Sequence, residues 1–442
     1  MQSHLNSGCV RAWRKKNVMA LAAVILSLLV LFVFLGASGG FGASVANAST
    51  SIKSDQRASI NFTYRGKSYK YVDNIIAPTD YLVAEQILNR KINAPTHEKL
   101  RLVEKILQAG GDYTMAINYC FPLLEKTINR VLADVNTAPK NSEIFFNPNA
   151  KPMFSVSREE PGYELGREAL YRDTYMHLLK GQRVPLIIKP KSITPEILAY
   201  HNLNLTHKRV RFTTSFAKSN PSRSHNIALA LSSINGTRLN PKEEFSFNKT
   251  VGARTAANGY KEAKIIMDGK YVDGVGGGVC QASTTLYNAA LRADMRITQV
   301  RNHSLISSYV PASFDAMVNS GTSDLRFVND GDTPVFIKAY TDGANAVVEF
   351  YGQKLPYTID IESAIIARTP APPDVEELDT DYKFFDSTIA QPGDKKRIAK
   401  GYGATKSEGY LLYKDYNGNL LERKHIRKDT YKSLAGKVVV AP

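Results

Sequence analysis

Three consecutive glycines, Gly276, Gly277 and Gly278, stand before Val279 and Cys280, and the residues after the cysteine, QASTTLYNAALRA, read as a helix. A run without Cβ atoms is a turn that can take positive φ and let another backbone come close. Beyond it Ala282, Leu286, Ala289, Ala290 and Ala293 share one face, as a packed helix requires. Cys280 is therefore expected at or beside a helix N-terminus, where the dipole and free N–H groups favour thiolate over thiol. Those amides, with that of Gln281, are suited to hold the oxyanion of an acyl intermediate. A P-loop would carry a lysine after its glycines, and none follows here.

A thiol nucleophile needs a base within hydrogen-bond reach. His303, in RNHSLISSY at the end of the next expected strand, is the best placed by order along the chain. His225, His201 and His207 are weaker options, and any of the four can equally be a surface or hydrogen-bonded core residue. Asp315 and Asp324 are the candidates to orient the imidazole as a third member. The opposing reading makes Cys280 a small core residue behind a tight turn.

The rest of the 442-residue chain frames this motif. Its 43% hydrophobic and 22% charged residues exclude global disorder, and its net charge of +16 favours an anionic partner. The basic residues are scattered, without zinc-ligand, heptad or aromatic RNA-binding patterns, so no nucleic acid is expected. Arg11, Arg14, Lys15 and Lys16 precede an uncharged apolar run from Val18 to Leu35, which is long enough nearly to cross a membrane. The expectation is a cytoplasmic tail over 1–17, a single-pass anchor or signal over 18–35, and an exported body. Cleavage after Ala48, in an Ala-Asn-Ala site, is the alternative and would give a secreted protein. Export leaves Cys120 and Cys280 outside, where they could pair. Cys120, though, shares a helical face with Ala116, Leu124, Ile128 and Val131, which marks a buried thiol.

The fold class expected is α+β in several domains. A flexible linker over 36–57 leads to an α+β domain over 58–204, which opens with a hairpin turning at Arg65-Gly66-Lys67. Helices follow through Leu100–Leu107 and Tyr113–Val135. A central mixed α/β domain over 205–354 carries a helix capped by Ser222 or Ser224, then the cysteine motif. DLRFVN, VFIKAY and AVVEFYG are expected to form a three-stranded meander after it. A Pro-rich linker over 355–376 and a small β module over 377–442 complete the chain.

The stretch from Arg211 to Tyr351 resembles the VanW family. The likeness rests on FTTSF, HNIALAL, EEFSFNKTVGARTAANGYKEA, GVGGGVCQASTTLYNAAL, RNHSLISSYVP, DAMV and SDLRFVND, in that order. The family tends to have Pro-Gly-Glu where Pro241-Lys242-Glu243 stands, and Ala-Gly-Leu where Ala293-Asp294-Met295 stands. Residues 58–204 more loosely resemble the peptidoglycan-binding domain that accompanies VanW domains, and the C-terminal module is similar to a glycine-rich wall-associated domain. The resemblance implies cell-envelope work: an L,D-transpeptidase with Cys280 as nucleophile and His303 as base. It implies peptidoglycan stem peptides and anionic wall polymers as partners, and no cofactor or metal. A papain-like peptidase or amidase of peptidoglycan, and a non-catalytic wall binder, remain the alternatives.

Overall fold

The structure is a computed structural model that describes residues 58–73, 96–267 and 270–442. The apolar run from Val18 to Leu35, the linker and the site at Ala48 lie outside the described residues. Among the described residues no helix is long and apolar enough to cross a membrane. The architecture is α+β, and the described residues divide into two compact units, one within 58–137 and 163–192, the other within 138–162 and 193–442.

The first unit opens with β1 (Ser59–Tyr64) and β2 (Lys67–Val72), an antiparallel hairpin whose turn residues Arg65 and Gly66 both have positive φ. Its alternation buries Ile60 and Phe62 opposite Tyr71 and Tyr69. Three helices pack behind it: α1 (Thr96–Gln108), α2 (Tyr113–Cys120) and α3 (Leu124–Val135). The apolar spacing reads the last two as one helix, but Pro122 has no N–H to give and the ladder stops at Cys120. The expected face survives the break, since Ala116, Cys120, Leu124, Ile128 and Val131 are all buried. Lys99 on α1 forms a buried ion pair with Asp73 at 2.5 Å, and the Tyr71 hydroxyl donates to the same carboxylate at 2.8 Å.

The second unit takes in β3 (Ile144–Phe146) and β4 (Phe154–Val156), a short hairpin whose Phe146 and Phe154 stack at 4.9 Å. The chain leaves it at β5 (Gly162–Glu164), runs through α4 (Arg167–Leu179) and β6 (Leu186–Ile187), the latter parallel to β1, and returns at β7 (Lys191–Ile193). After α5 (Ala199–Leu203) come β8 (His207–Ser215), α6 (Pro221–Ile234), β9 (Thr237–Leu239), β10 (Glu244–Ser246) and α7 (Phe247–Val251). α6 is capped by Asn220, whose side chain accepts from Arg223 N, with Pro221 in the first turn; the expected caps Ser222 and Ser224 lie inside the helix.

A hairpin of β11 (Glu262–Met267) and β12 (Lys270–Val275) then leads into α8 (Val279–Arg292). β13 (Arg296–Gln299), β14 (Arg326–Val328), β15 (Val335–Asp342) and β16 (Asn345–Gly352) follow. The main antiparallel sheet has the order β8-β16-β15-β9. The expected three-stranded meander is only a hairpin of β15 and β16, because β14 pairs instead between β10 and β13. Asn329 explains the crossing: its Nδ2 donates to Leu239 O at 3.0 Å and Thr333 O at 2.8 Å, so the chain passes between sheets where a tight turn would reverse it.

The C-terminal segment adds β17 (Thr358–Arg368), β18 (Val375–Leu378), β19 (Lys395–Ala399), β20 (Thr405–Lys414), β21 (Leu420–Tyr431) and β22 (Lys437–Val440). They form two three-stranded sheets, β17-β20-β21 and β18-β22-β19. β17 occupies much of the stretch whose prolines suggest a linker. Ile359 and Leu411 belong to the same apolar core as Leu286, Phe314 and Phe350.

Candidate active site

α8 is buried on every side, not only on its alanine face: Gln281, Ser283, Thr284, Thr285 and Asn288 are as enclosed as Leu286. Buried polar groups must be paired, and these are spent on β8 and on the segment 314–316. Gln281 Nε2 donates to Thr214 Oγ1 at 3.1 Å and Ser215 O at 2.9 Å. Ser283 Oγ donates to Ala316 O at 2.6 Å, and Asn288 Nδ2 to Phe314 O at 2.7 Å. Ala316 N donates to Thr284 Oγ1 at 3.0 Å. The helix thereby grips the segment that carries Asp315.

The glycine turn is required by its own packing. Gly276 and Gly278 have φ of 89° and 106°, and a Cβ on Gly277 would stand 2.7 Å from Ala263 O and 2.6 Å from Lys264 O. A Cβ on Gly278 would meet Arg223 O at 3.0 Å. The crowding comes from α6 and β11, so the absent side chains let the turn nest against the protein's own backbone. Gly276 N donates to Lys261 O at 3.1 Å and Gln281 N to Gly278 O at 2.9 Å, which removes both amides from the expected anion cradle. The N–H groups of Gly277, Gly278 and Cys280 carry no hydrogen bond among the described residues.

Cys280 is the second residue of α8 and half-buried. Its thiol donates to Val318 O at 3.3 Å, and both it and Cys120 are free thiols, so the two are not bridged. A cavity of about 550 Å³ opens over the sulfur, lined by the glycine turn, Cys280, His303 and residues 304–309. Its charged lining is Arg223, Lys264 and Lys432, with no carboxylate among the described lining residues.

His303 lies beyond the end of β13, in a loop fixed by Asp315. One carboxylate oxygen, Asp315 Oδ2, accepts from His303 N at 2.6 Å and pairs with His303 Nδ1 at 2.6 Å. The tautomer follows: Nδ1 carries hydrogen toward the carboxylate, leaving Nε2 for chemistry. Burial pulls the His303 ring down, but the Asp315 and Cys280 partners outweigh it and raise the ring above its ordinary value. Burial pushes the Cys280 thiol up, yet the adjoining His303 holds it below its ordinary range. Burial likewise opposes ionisation of Asp315, and the bonds from His303 and Tyr431 overcome it. The three directions agree in sign: each group favours the charged form of its neighbour, which eases proton transfer from Cys280 to His303.

Asp324, the other expected third member, is bound elsewhere: it accepts from Ser246 Oγ at 2.6 Å, Asn248 N at 2.9 Å and Arg326 Nε at 2.9 Å. Of the other histidines, His225 bonds to Gly259 O at 2.9 Å and His201 Nδ1 accepts from Leu198 N at 3.1 Å. Three contributors escaped the sequence reading. Arg254 is a part-buried guanidinium whose charge acts on Cys280. Tyr431 and Arg427, on β21, reach Asp315 through the Tyr431 hydroxyl at 2.6 Å and through Arg427 Nη1 to the Asp315 main-chain oxygen at 2.9 Å. Arg254 stands within the quoted ARTAANGY motif and was open to notice; nothing in the sequence joins position 431 to position 315.

The stretch that holds Cys280, His303 and Asp315 is similar to known proteins. Residues 222–351 match the family described as VanW like protein. An uncharacterized Bacillus subtilis protein, YoaR, is 40% identical over 196 residues, 43% of this chain and 63% of the relative. The vancomycin B-type resistance protein VanW of Enterococcus faecalis is 29% identical over 139 residues, 30% of this chain and 50% of the relative. The chain thus spans 63% and 50% of the length of these relatives. A solved structure titled HP0197-G5 aligns over 19% of this chain and 96% of its own at a TM-score of 0.11 and 11% identity.

Proposed function

Since residues 222–351 are a VanW-family domain, we propose that this chain is a cell-wall protein of the kind linked to vancomycin resistance, working as a cysteine L,D-transpeptidase. The Enterococcus faecalis relative, named as a vancomycin resistance protein, supports the resistance setting. The observation that carries the chemistry is His303 held by Asp315 beside a thiol whose ionisation it favours, over an open cavity.

In this reading Cys280 gives its proton to His303 Nε2 and swings its sulfur away from Val318 O, because a thiolate cannot donate. The sulfur attacks the carbonyl carbon of the third residue, a diamino acid, in a peptidoglycan tetrapeptide stem. Free amides of Gly278 and Cys280 stand at the same turn to receive the oxyanion. The C–N bond to the terminal D-Ala breaks, and the imidazolium returns its proton to the leaving amine. The amine of a second stem then attacks the thioester, loses a proton to His303 and releases Cys280, leaving a 3-3 cross-link. Arg223, Lys264 and Lys432 suit the carboxylate of such a donor. The reaction calls on no metal or organic cofactor, and the body of the chain would act outside the membrane on stem peptides and anionic wall polymers.

Incubation of the purified protein with tetrapeptide stems, followed by mass analysis, tests the reading. Stem dimers are expected, and Cys280→Ala should abolish them. Shortened monomers alone would replace transfer by hydrolysis, and an unchanged substrate with no acylated Cys280 by mass would remove the enzyme altogether.

A further inference from the structure

The carboxylate of Asp315 is 1% exposed, and its two oxygens are used differently. Oδ2 serves His303 alone, through ring and main chain. Oδ1 receives the hydroxyl of Tyr431, itself 1% exposed, and that hydroxyl accepts from Ser313 N at 2.7 Å. Arg427 and Tyr431 share a face of β21, as residues four apart on a strand must. From that face Arg427 holds the Asp315 main-chain oxygen while pairing with Asp429. Neighbouring positions bind the histidine segment: Asn302 Nδ2 donates to Thr430 O at 3.1 Å and Lys432 N to Ser304 O at 2.7 Å. The end of β21 and the residue after it are thus fastened to Asp315 and to both neighbours of His303.

We propose that Tyr431 is a positioning residue of the thiol site, holding Asp315 in register with His303, so that the C-terminal β segment is part of the catalytic machinery. The proposal rests on the reading of Cys280 as nucleophile and is independent of its acceptor. The physical argument is satisfaction. An enclosed carboxylate with one oxygen unpaired is costly and is relieved by protonation or by rotation, and either loosens its hold on the imidazolium. The charged and titratable groups that face Asp315 are His303 from its loop, Tyr431, Arg427 and Asp429 from β21, Tyr287 from α8, and Tyr309. Among the hydrogen bonds of the described residues, Tyr431 is the one donor to Oδ1.

The test uses the full chain and reads the rate of Cys280 alkylation by iodoacetamide against pH, with the modified peptide mapped by mass. Tyr431→Phe keeps the buried ring and removes the hydroxyl. The acid limb of the profile should move up by about one pH unit, with about tenfold slower labelling below it, as expected for one lost hydrogen bond to a charge. Ser407→Ala is the control: it breaks the 2.7 Å Ser313–Ser407 hydroxyl bond in the same segment without touching Asp315, and should leave the limb in place. In an Asp315→Asn background the tyrosine change should have no further effect on the limb. A limb that Tyr431→Phe leaves unmoved, or that Ser407→Ala moves equally, overturns the proposal alone. An ordinary thiol profile in the unaltered chain overturns both it and the assignment of Cys280.

Discussion

At the scale of single residues, the site is governed by charge held out of water. Asp315 is ionised below the usual carboxyl range, so its contribution to stability is present above the unfolded carboxyl pKa and is lost as pH falls through the lower folded one. Asp315→Asn should therefore melt at lower temperature than the parent near neutrality, with the gap closing as the pH drops into the acid range; thermal melts of both proteins across pH check this. A gap of constant size would mean that shape, and not charge, is what the carboxylate supplies. Cys280, His303 and Asp315 were open to recognition because they follow one another within a single motif-rich stretch. The choice between Asp315 and Asp324 was not, since it depends on which carboxylate β10, α7 and Arg326 have already claimed.

At the scale of elements, the glycine turn and α8 act as one rigid piece. Its tolerance is set by oxygen atoms of β11 that no side-chain motion can clear. Gly277→Ala should cost about 1–3 kcal/mol, read from denaturant unfolding, because the new methyl meets two main-chain oxygens. A neutral outcome would show that β11 can retreat. Strand–turn–helix order, the opening hairpin and most helices were legible from periodicity and turn residues. What escaped was pairing between distant strands. A strand's own pattern tells which face is buried and not which partner it finds, hence the misplaced β14. The buried polar side of α8 was also hidden, because serine, threonine and asparagine at helical spacing read as a solvated face until the strand and loop that use them are in view.

At the scale of the whole molecule, the C-terminal sheets are structural partners of the thiol site. A chain ended at residue 354 should lose cooperative unfolding and bind a hydrophobic dye, since Ile359 and Leu411 would leave the core they share with Phe314 and Phe350. A cooperative melt from that fragment would make the segment a dispensable addition. Prolines suggested a free linker there, and the resemblance favoured a separate module; neither carries information on tertiary burial. The two units, finally, are stitched by three passages of the chain, at 137/138, 162/163 and 192/193. The excursion between the first two supplies Ile144 to a cluster with Leu205, Phe336 and Tyr351, with Phe146 and Phe154 packed against it. A chain begun at residue 193 would therefore lack Ile144, Phe146 and Phe154 and leave Leu205, Phe336 and Tyr351 uncovered.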